Sequence, residues 1–269
     1  MNYKRQHINP KIKNLRKKQR FYQYPIFWKF LLFFIIVATF LYFILFFSKL
    51  QISEIIVLGN EKIHADDIKS LTWKNIDKKI VSLLGKSIST KSIFIFNSKN
   101  TIDDILNNFP NIEDLKIEKN LPSSITLKIK ERSPFGVFCE EKNCFLIDHN
   151  GVVFESTDDS FMGIILKKEL RDGEIYLGEN IIDKNIISII SKIKNELFDN
   201  FQIDVKEIFV SNLLIFQTSL GWRIYFNPES EIDLQITKMN ILLKDEITIE
   251  ERKSLQYIYL QYKDRAYYK

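Results

Sequence analysis

The stretch Ile26–Phe47, IFWKFLLFFIIVATFLYFILFF, carries no charged residue from Phe30 onward. At about 1.5 Å of rise per residue it covers about 33 Å, enough for the hydrocarbon core of a bilayer. Phe, Leu and Ile fill every side, whereas a core helix of a soluble protein is rarely apolar all round. Trp28 and Tyr42 are of the type found near membrane interfaces, and Lys29 and Lys49 bracket the run where their charges can snorkel outward. Residues 26–48 read as a transmembrane helix, and the rest of the chain lies on one side of it or the other.

The flanks give the direction. Residues 1–29 hold nine of the 39 Lys and Arg and none of the 34 Asp and Glu, which leaves 30 basic against 34 acidic residues beyond them. A basic flank stays in the cytoplasm. The formal charge of +5 therefore belongs to a short tail, 1–25, which reads as a topology signal resting on anionic lipid and not as a nucleic-acid binder. A cleaved signal peptide is the competing reading. The apolar run is long for one, and Phe47-Ser48-Lys49-Leu50 lacks the small-x-small pattern that a signal peptidase needs. The expectation is a single-pass anchor with everything after it outside the cytoplasm.

Outward from the span, Gln51 to Leu58 reads as a strand closed by Gly59-Asn60. Residues 65–85 show helical spacing in two pieces, Ile68 with Leu71, then Ile76, Ile80, Leu83 and Leu84 with Gly85 to end it. Lys86 to Ser92 reads as a polar break. Thr101 and Asp104 have capping-box spacing before a helix with Ile102, Ile105, Leu106 and Phe109 on one face. Strands follow at 112–118 and 125–131, the second alternating Ile125, Leu127 and Ile129 with Thr126, Lys128 and Lys130. A three-stranded sheet with two helices on one face accounts for 50–132.

At this point the residues resemble a family. Val57-Leu58-Gly59-Asn60 before a helix, Ile105 through Ile112, Leu121-Pro122, and Ile129-Lys130-Glu131-Arg132-Ser133-Pro134 are similar to the POTRA domain of the FtsQ/DivIB bacterial division proteins. Tyr257 through Lys269 resembles that family's closing strand. The resemblance implies an α+β fold of POTRA domain (β-α-α-β-β) followed by a strand-rich domain, 133–269. It also implies a noncatalytic role in assembling the septal machinery, with FtsB/DivIC-like and FtsL-like single-pass partners.

In 133–269 the sequence reads as strands at 136–139, 144–148 and 152–155 with an Asn150-Gly151 turn, then a less readable stretch, 156–180. A helix over 183–198 carries Ile186, Ile190, Ile193 and Leu197 on one face. Strands return at 203–210, 213–218 and 222–226, Ser230 and Asp233 cap a helix reaching about Lys244, and Leu255 to Tyr262 is the last long strand.

No catalytic or metal constellation emerges. His64 stands at a helix start and His149 in a turn, with no second His at ligand spacing; no nucleophile elbow, phosphate loop or His-Glu-x-x-His is present, and no cofactor or small-molecule substrate is expected. Asp66-Asp67 and Asp103-Asp104 read as helix-start acids and Asp158-Asp159 as a solvated loop. Two alternatives stay open: a POTRA-containing protein of export or assembly, and a membrane-tethered cell-wall enzyme. Cys139 and Cys144 flank a four-residue hairpin loop and are expected to form a disulfide, with free thiols as the alternative. Ile52, Ile55, Val57, Gly59 and Asn60 mark a candidate recruitment surface on the strand edge. The resemblance places partner docking on the closing strand, with Tyr262 as the matching contact; Tyr257, Tyr259, Tyr267 and Tyr268 extend that site along an outer edge expected to be unpaired.

Overall fold

The computed structural model describes residues 24–77, 79–83, 86–140, 143–157, 163–168 and 174–269; the basic tail through residue 23, Leu84-Gly85 and Asp158-Asp159 lie outside the described residues. The apolar run forms α1 (Pro25–Phe46), with proline in the first turn, where its missing N–H costs nothing. None of its side chains is buried, and it is long and apolar enough to cross a membrane.

Beyond it come β1 (Glu54–Leu58), α2 (Ala65–Ile76), a hairpin of β2 (Lys79–Leu83) and β3 (Lys86–Ser89), α3 (Ser98–Asn108), β4 (Ile112–Asn120) and β5 (Ser124–Glu131). Three strands pair in the order β1-β5-β4, and β5 buries Ile125, Leu127 and Ile129 while Lys128 and Lys130 stay outside; Thr126, expected outside with them, is buried as well. Gly59, at φ +83°, closes β1 so tightly that a Cβ there would stand 2.2 Å from the Ile129 carbonyl oxygen. A side chain at 59 is excluded by space as well as by φ.

Several expectations change here. Of the second helical piece, Ile76 instead ends α2 and Lys79–Leu83 is strand β2, and the polar break contains β3; in so short an apolar run, Ile80 and Leu83 fit a helix face or a strand equally well, and only length decides. α3 starts earlier than expected, because Asn97, not Thr101, is the N-cap and accepts from the Asn100 N–H. Thr101 lies inside the helix and donates to the Asn97 carbonyl, and Asp103-Asp104 fall in mid-helix.

The rest forms β6 (Pro134–Glu140), β7 (Asn143–Asp148), β8 (Val153–Thr157), β9 (Ile165–Lys168), α4 (Lys184–Phe201), β10 (Val205–Val210), β11 (Leu214–Thr218), β12 (Arg223–Phe226), α5 (Ile232–Ile241), β13 (Tyr257–Tyr259) and β14 (Tyr267–Tyr268). These nine strands make one sheet, ordered β14-β13-β12-β11-β10-β9-β6-β7-β8. β9, in the stretch that sequence left unread, is its keystone: it runs parallel to both β10 and β6 and so joins the two meanders. The architecture is α+β, as expected.

One face of this sheet packs Phe138, Ile147, Leu166, Ile208, Phe216, Ile224, Phe226 and Ile258 with Ile187, Ile190, Ile193 and Leu197 of α4 and Ile236 and Met239 of α5. α4 is capped by Asp183, which accepts from the Asn185 N–H, and ends on Gln202 in the left-handed region. α5 departs from expectation: Glu231 precedes it without a side-chain cap, and Asp233 in its first turn pairs with Lys192. By compactness the described residues divide into a smaller unit, within Met1–Glu54, Ile76–Phe96 and Lys119–Ile125, and a larger one, within Ile55–Asn75, Asn97–Glu118 and Thr126–Lys269.

Candidate interaction site

Alternation along each strand sends every second side chain to the face of the large sheet opposite α4 and α5. Register then lines them up: Lys167 opposite Phe209, Phe209 opposite Ile215, Ile215 opposite Tyr225, Tyr225 opposite Tyr259, and Tyr259 opposite Tyr267. The result is a cross-strand row over six strands that turns wholly aromatic toward one edge. The Tyr225 and Tyr259 rings stand 4.5 Å apart and those of Tyr257 and Tyr259 4.6 Å, while the Lys167 ammonium sits 5.4 Å from the Phe209 ring. Partial desolvation, then the neighbouring phenols of Tyr225 and Tyr257, push the Tyr259 hydroxyl above its ordinary range. Such a row combines apolar area with polar tips, the character of protein-binding surfaces.

The edge differs from the sequence expectation. Leu255 to Tyr262 is not one long strand with an open side. Only Tyr257–Tyr259 is strand; Leu260 is fully buried in the core, and β14 pairs antiparallel on the far side of β13. The chain turns back because Lys238 donates to the carbonyls of Leu260 (2.9 Å) and Tyr262 (2.5 Å) from α5, which holds 260–262 off the strand line. Burial of that ammonium, partly offset by Asp264, depresses its pKa. Among the described residues the open edge at this end is therefore β14. Lys269 exchanges both backbone bonds with Tyr257, so Tyr259 and Tyr267 form the next bonded pair and the N–H and C=O of Tyr268 point away from the sheet.

Of the five expected tyrosines, Tyr257 and Tyr259 are half-buried in the row, whereas Tyr262, Tyr267 and Tyr268 are 46–47 % exposed, the first two meeting edge to face at 5.4 Å. Phe209, Ile215 and Tyr225 complete the row and were not expected in it. Their alternation was legible, but placing them beside Tyr259 requires the register and the parallel β12–β13 pairing.

The other singled-out residues divide. Ile52 and Ile55 are 2 % and 7 % exposed, so they are core and not recruitment surface. Val57 is half-buried, Gly59 packs against Ile129, and the Asn60 amide donates to the Ile63 carbonyl. What β1 offers outward, among the described residues, is a backbone edge with no paired strand, with Ile56 half-exposed and Leu58 exposed. Cys139 and Cys144 are joined across β6 and β7, S–S 2.08 Å. The motif around 129–134 also has visible work. The Glu131 carboxylate accepts from the N–H groups of Glu61 (2.7 Å), Lys62 and Ile63 (3.0 Å), fixing the turn after β1. Arg132 bonds both the Pro110 carbonyl (2.9 Å) and the buried Asp148, which also accepts from the N–H groups of Asn150 and Val152. Among the described residues, no three His, Cys, Asp or Glu side chains gather into a group that could hold a metal ion.

No family model matches the chain. It is similar to the cell division protein DivIB of Clostridium tetani (strain Massachusetts / E88), 26% identical over 181 residues that cover 64% of this chain and 67% of the relative. It is likewise similar to the cell division protein DivIB of Clostridium botulinum, 29% identical in strain Loch Maree and 26% in strain Hall, over 198 residues covering 69% of this chain and 76% of each relative.

Proposed function

We propose that this chain, a member of the FtsQ/DivIB family of bacterial cell division proteins, is a noncatalytic, membrane-anchored scaffold of the septum. Its tail is cytoplasmic, α1 crosses the membrane, and residues 50–269 stand outside. β1, α2, α3, β4 and β5 keep the order expected of a POTRA domain over 50–132, with the β2–β3 hairpin added between the helices. The free edge of β1, with Ile56 and Leu58, is the recruitment surface.

The observation that carries the reading is the aromatic row ending at an open strand edge. A short extracytoplasmic segment of an FtsB/DivIC-like single-pass protein, with an FtsL-like companion, docks there by adding a strand beside Tyr268, and its side chains rest on Tyr262 and Tyr267. The test is binding of the full chain to such a segment. Tyr262→Ala removes an exposed ring and weakens binding at least about tenfold, while the fold is retained. Tyr268→Pro removes an N–H that points away from the sheet, so it spares the chain's own pairing and blocks the added strand. Wild-type affinity in both folded variants would sink edge docking. A fluorescent fusion that failed to reach mid-cell before constriction would instead favour export or assembly.

A further inference from the structure

The end of α1 is built into the smaller unit. A helix leaves its last carbonyls without intrahelical partners. Here the Ile44 carbonyl accepts from the Ser92 hydroxyl (2.9 Å), and the Leu45 carbonyl accepts from the Gln51 amide (2.7 Å) and the Thr90 hydroxyl (2.5 Å). Gln51 is itself fixed, its amide oxygen accepting from the Lys91 N–H at 2.7 Å. Backbone bonds from Ile52 to Lys91 and from Ile93 to Leu50 continue the seam.

This seam fixes a depth. α1 has 22 residues, about 33 Å, for a hydrocarbon core of about 30 Å. Lifting Ile44 and Leu45 clear of the membrane by one turn would draw Lys29 about 5 Å inward at the other end. Thr90 and Ser92 therefore bond to the helix at the boundary of hydrocarbon and headgroups. Phe94 is two residues from Ser92, within about 7 Å even if fully extended. That distance matches the interfacial layer, about 5–8 Å on each side.

The turn at this level is turned inside out. Ile93 and Phe96 are buried, whereas Phe94 and Ile95 are 54 % and 44 % exposed. It is held in that state: the N–H groups of Ile95 and Phe96 both donate to the Ser92 carbonyl, and Lys119 donates to the Phe96 carbonyl (2.7 Å) while lying over its ring. Two large apolar side chains are thus fixed outward by a rigid turn. Lys49 adjoins Leu50, whose carbonyl accepts from the Ile93 N–H, and Lys91, paired to Asp77 at 3.2 Å, directly precedes the turn.

We propose that the turn Ser92–Phe96 is a collar seated in the outer interface of the bilayer. Phe94 and Ile95 enter the boundary between headgroups and acyl chains, and Lys49 and Lys91 face anionic headgroups. The occupant is lipid because the same turn caps the helix that the lipid surrounds. Such a collar fixes the angle at which the smaller unit leaves the membrane.

The proposal rests on α1 spanning the bilayer, and the test separates the two. With the native cysteines bonded to each other, single variants Phe34→Cys, Phe94→Cys and Ile95→Cys of the full chain are labelled with an environment-sensitive fluorophore. Each is reconstituted into phosphatidylcholine/phosphatidylglycerol vesicles containing no other protein. Labels at 94 and 95 are expected to lose fluorescence to lipids carrying a nitroxide near the headgroup and little to aqueous iodide, while the label at 34 is quenched by mid-chain nitroxides. Labels at 94 and 95 quenched only by iodide, with 34 quenched in mid-bilayer, would overturn the collar and leave the anchor standing. A label at 34 open to iodide would overturn both.

Discussion

The outer face of the nine-stranded sheet has two ends that obey the same alternation and come to opposite states. At the β6-β7-β8 end, Val137, Leu146 and Phe154 are buried at 2–6 % exposure and Cys139 is bonded to Cys144. At the β12-β13-β14 end, Tyr225, Tyr257 and Tyr259 are half-buried and Tyr267 remains nearly half-exposed. Branched and aromatic hydrocarbon closes on itself at the first end. Phenols whose hydroxyls tolerate water stay open at the second. Burial at one end stabilises the fold; apolar area left uncovered at the other is available for association.

The largest expected effect breaks the comparison at its closed end. Phe154→Ala removes a buried ring and should cost about 3–5 kcal/mol of stability by lost transfer energy and cavity. Tyr259→Ala, on the same face, should cost about 1 kcal/mol of stability and act mainly on partner binding. Equilibrium unfolding of the two variants in parallel checks this, and equal losses would abolish the distinction between the ends.

Next in size is the disulfide, which staples the closed end. Replacing Cys139 and Cys144 together by Ser should lower stability by about 2 kcal/mol, since the bond closes a short loop, and leave binding at the tyrosine end unchanged. A double variant as stable as the wild type would show that Val137, Leu146 and Phe154 hold that end unaided.

How much of this was legible in the sequence follows from the range of the forces involved. α1, the β5 alternation, α4 and the Asn150-Gly151 turn depend on neighbours within a few residues, and their patterns could be read directly. The β2–β3 hairpin could not, because Ile80 and Leu83 satisfy helix and strand spacing alike. β9 is four residues long and owes its place to β6 and β10, far away in sequence. The candidate site was half legible. Tyr257, Tyr259, Tyr262, Tyr267 and Tyr268 announced themselves by composition, but the reversal after Leu260 is imposed by Lys238 from α5, and no local pattern records it. Ile52 and Ile55 misled for a related reason, since a strand at the edge of a sheet still buries one of its faces.

The smallest expected effect lies off that face and shows how local the comparison is. Burial works against the charge of Glu131, but the N–H groups of Ile63, Glu61 and Lys62, with the Lys62 ammonium, outweigh it and hold the carboxyl below its ordinary pKa. A carboxylate with a depressed folded-state pKa adds stability that is present above the unfolded value, about 4.3, and is lost as pH falls through the folded one. Glu131→Gln keeps an oxygen that can accept from the same turn and removes only the charge, so it should cost about 1 kcal/mol at pH 7. The gap between variant and wild type should close as pH falls below the unfolded value and through the lowered folded one, where the wild-type carboxyl takes up its proton. Urea midpoints for both proteins at pH 7 and pH 3 measure this. A gap that persisted at pH 3 would mean that the shape of the side chain, and not its charge, fixes the turn after β1. Because Glu131 touches neither end of the outer face, the loss should also leave the affinity of the tyrosine edge unchanged at both pH values.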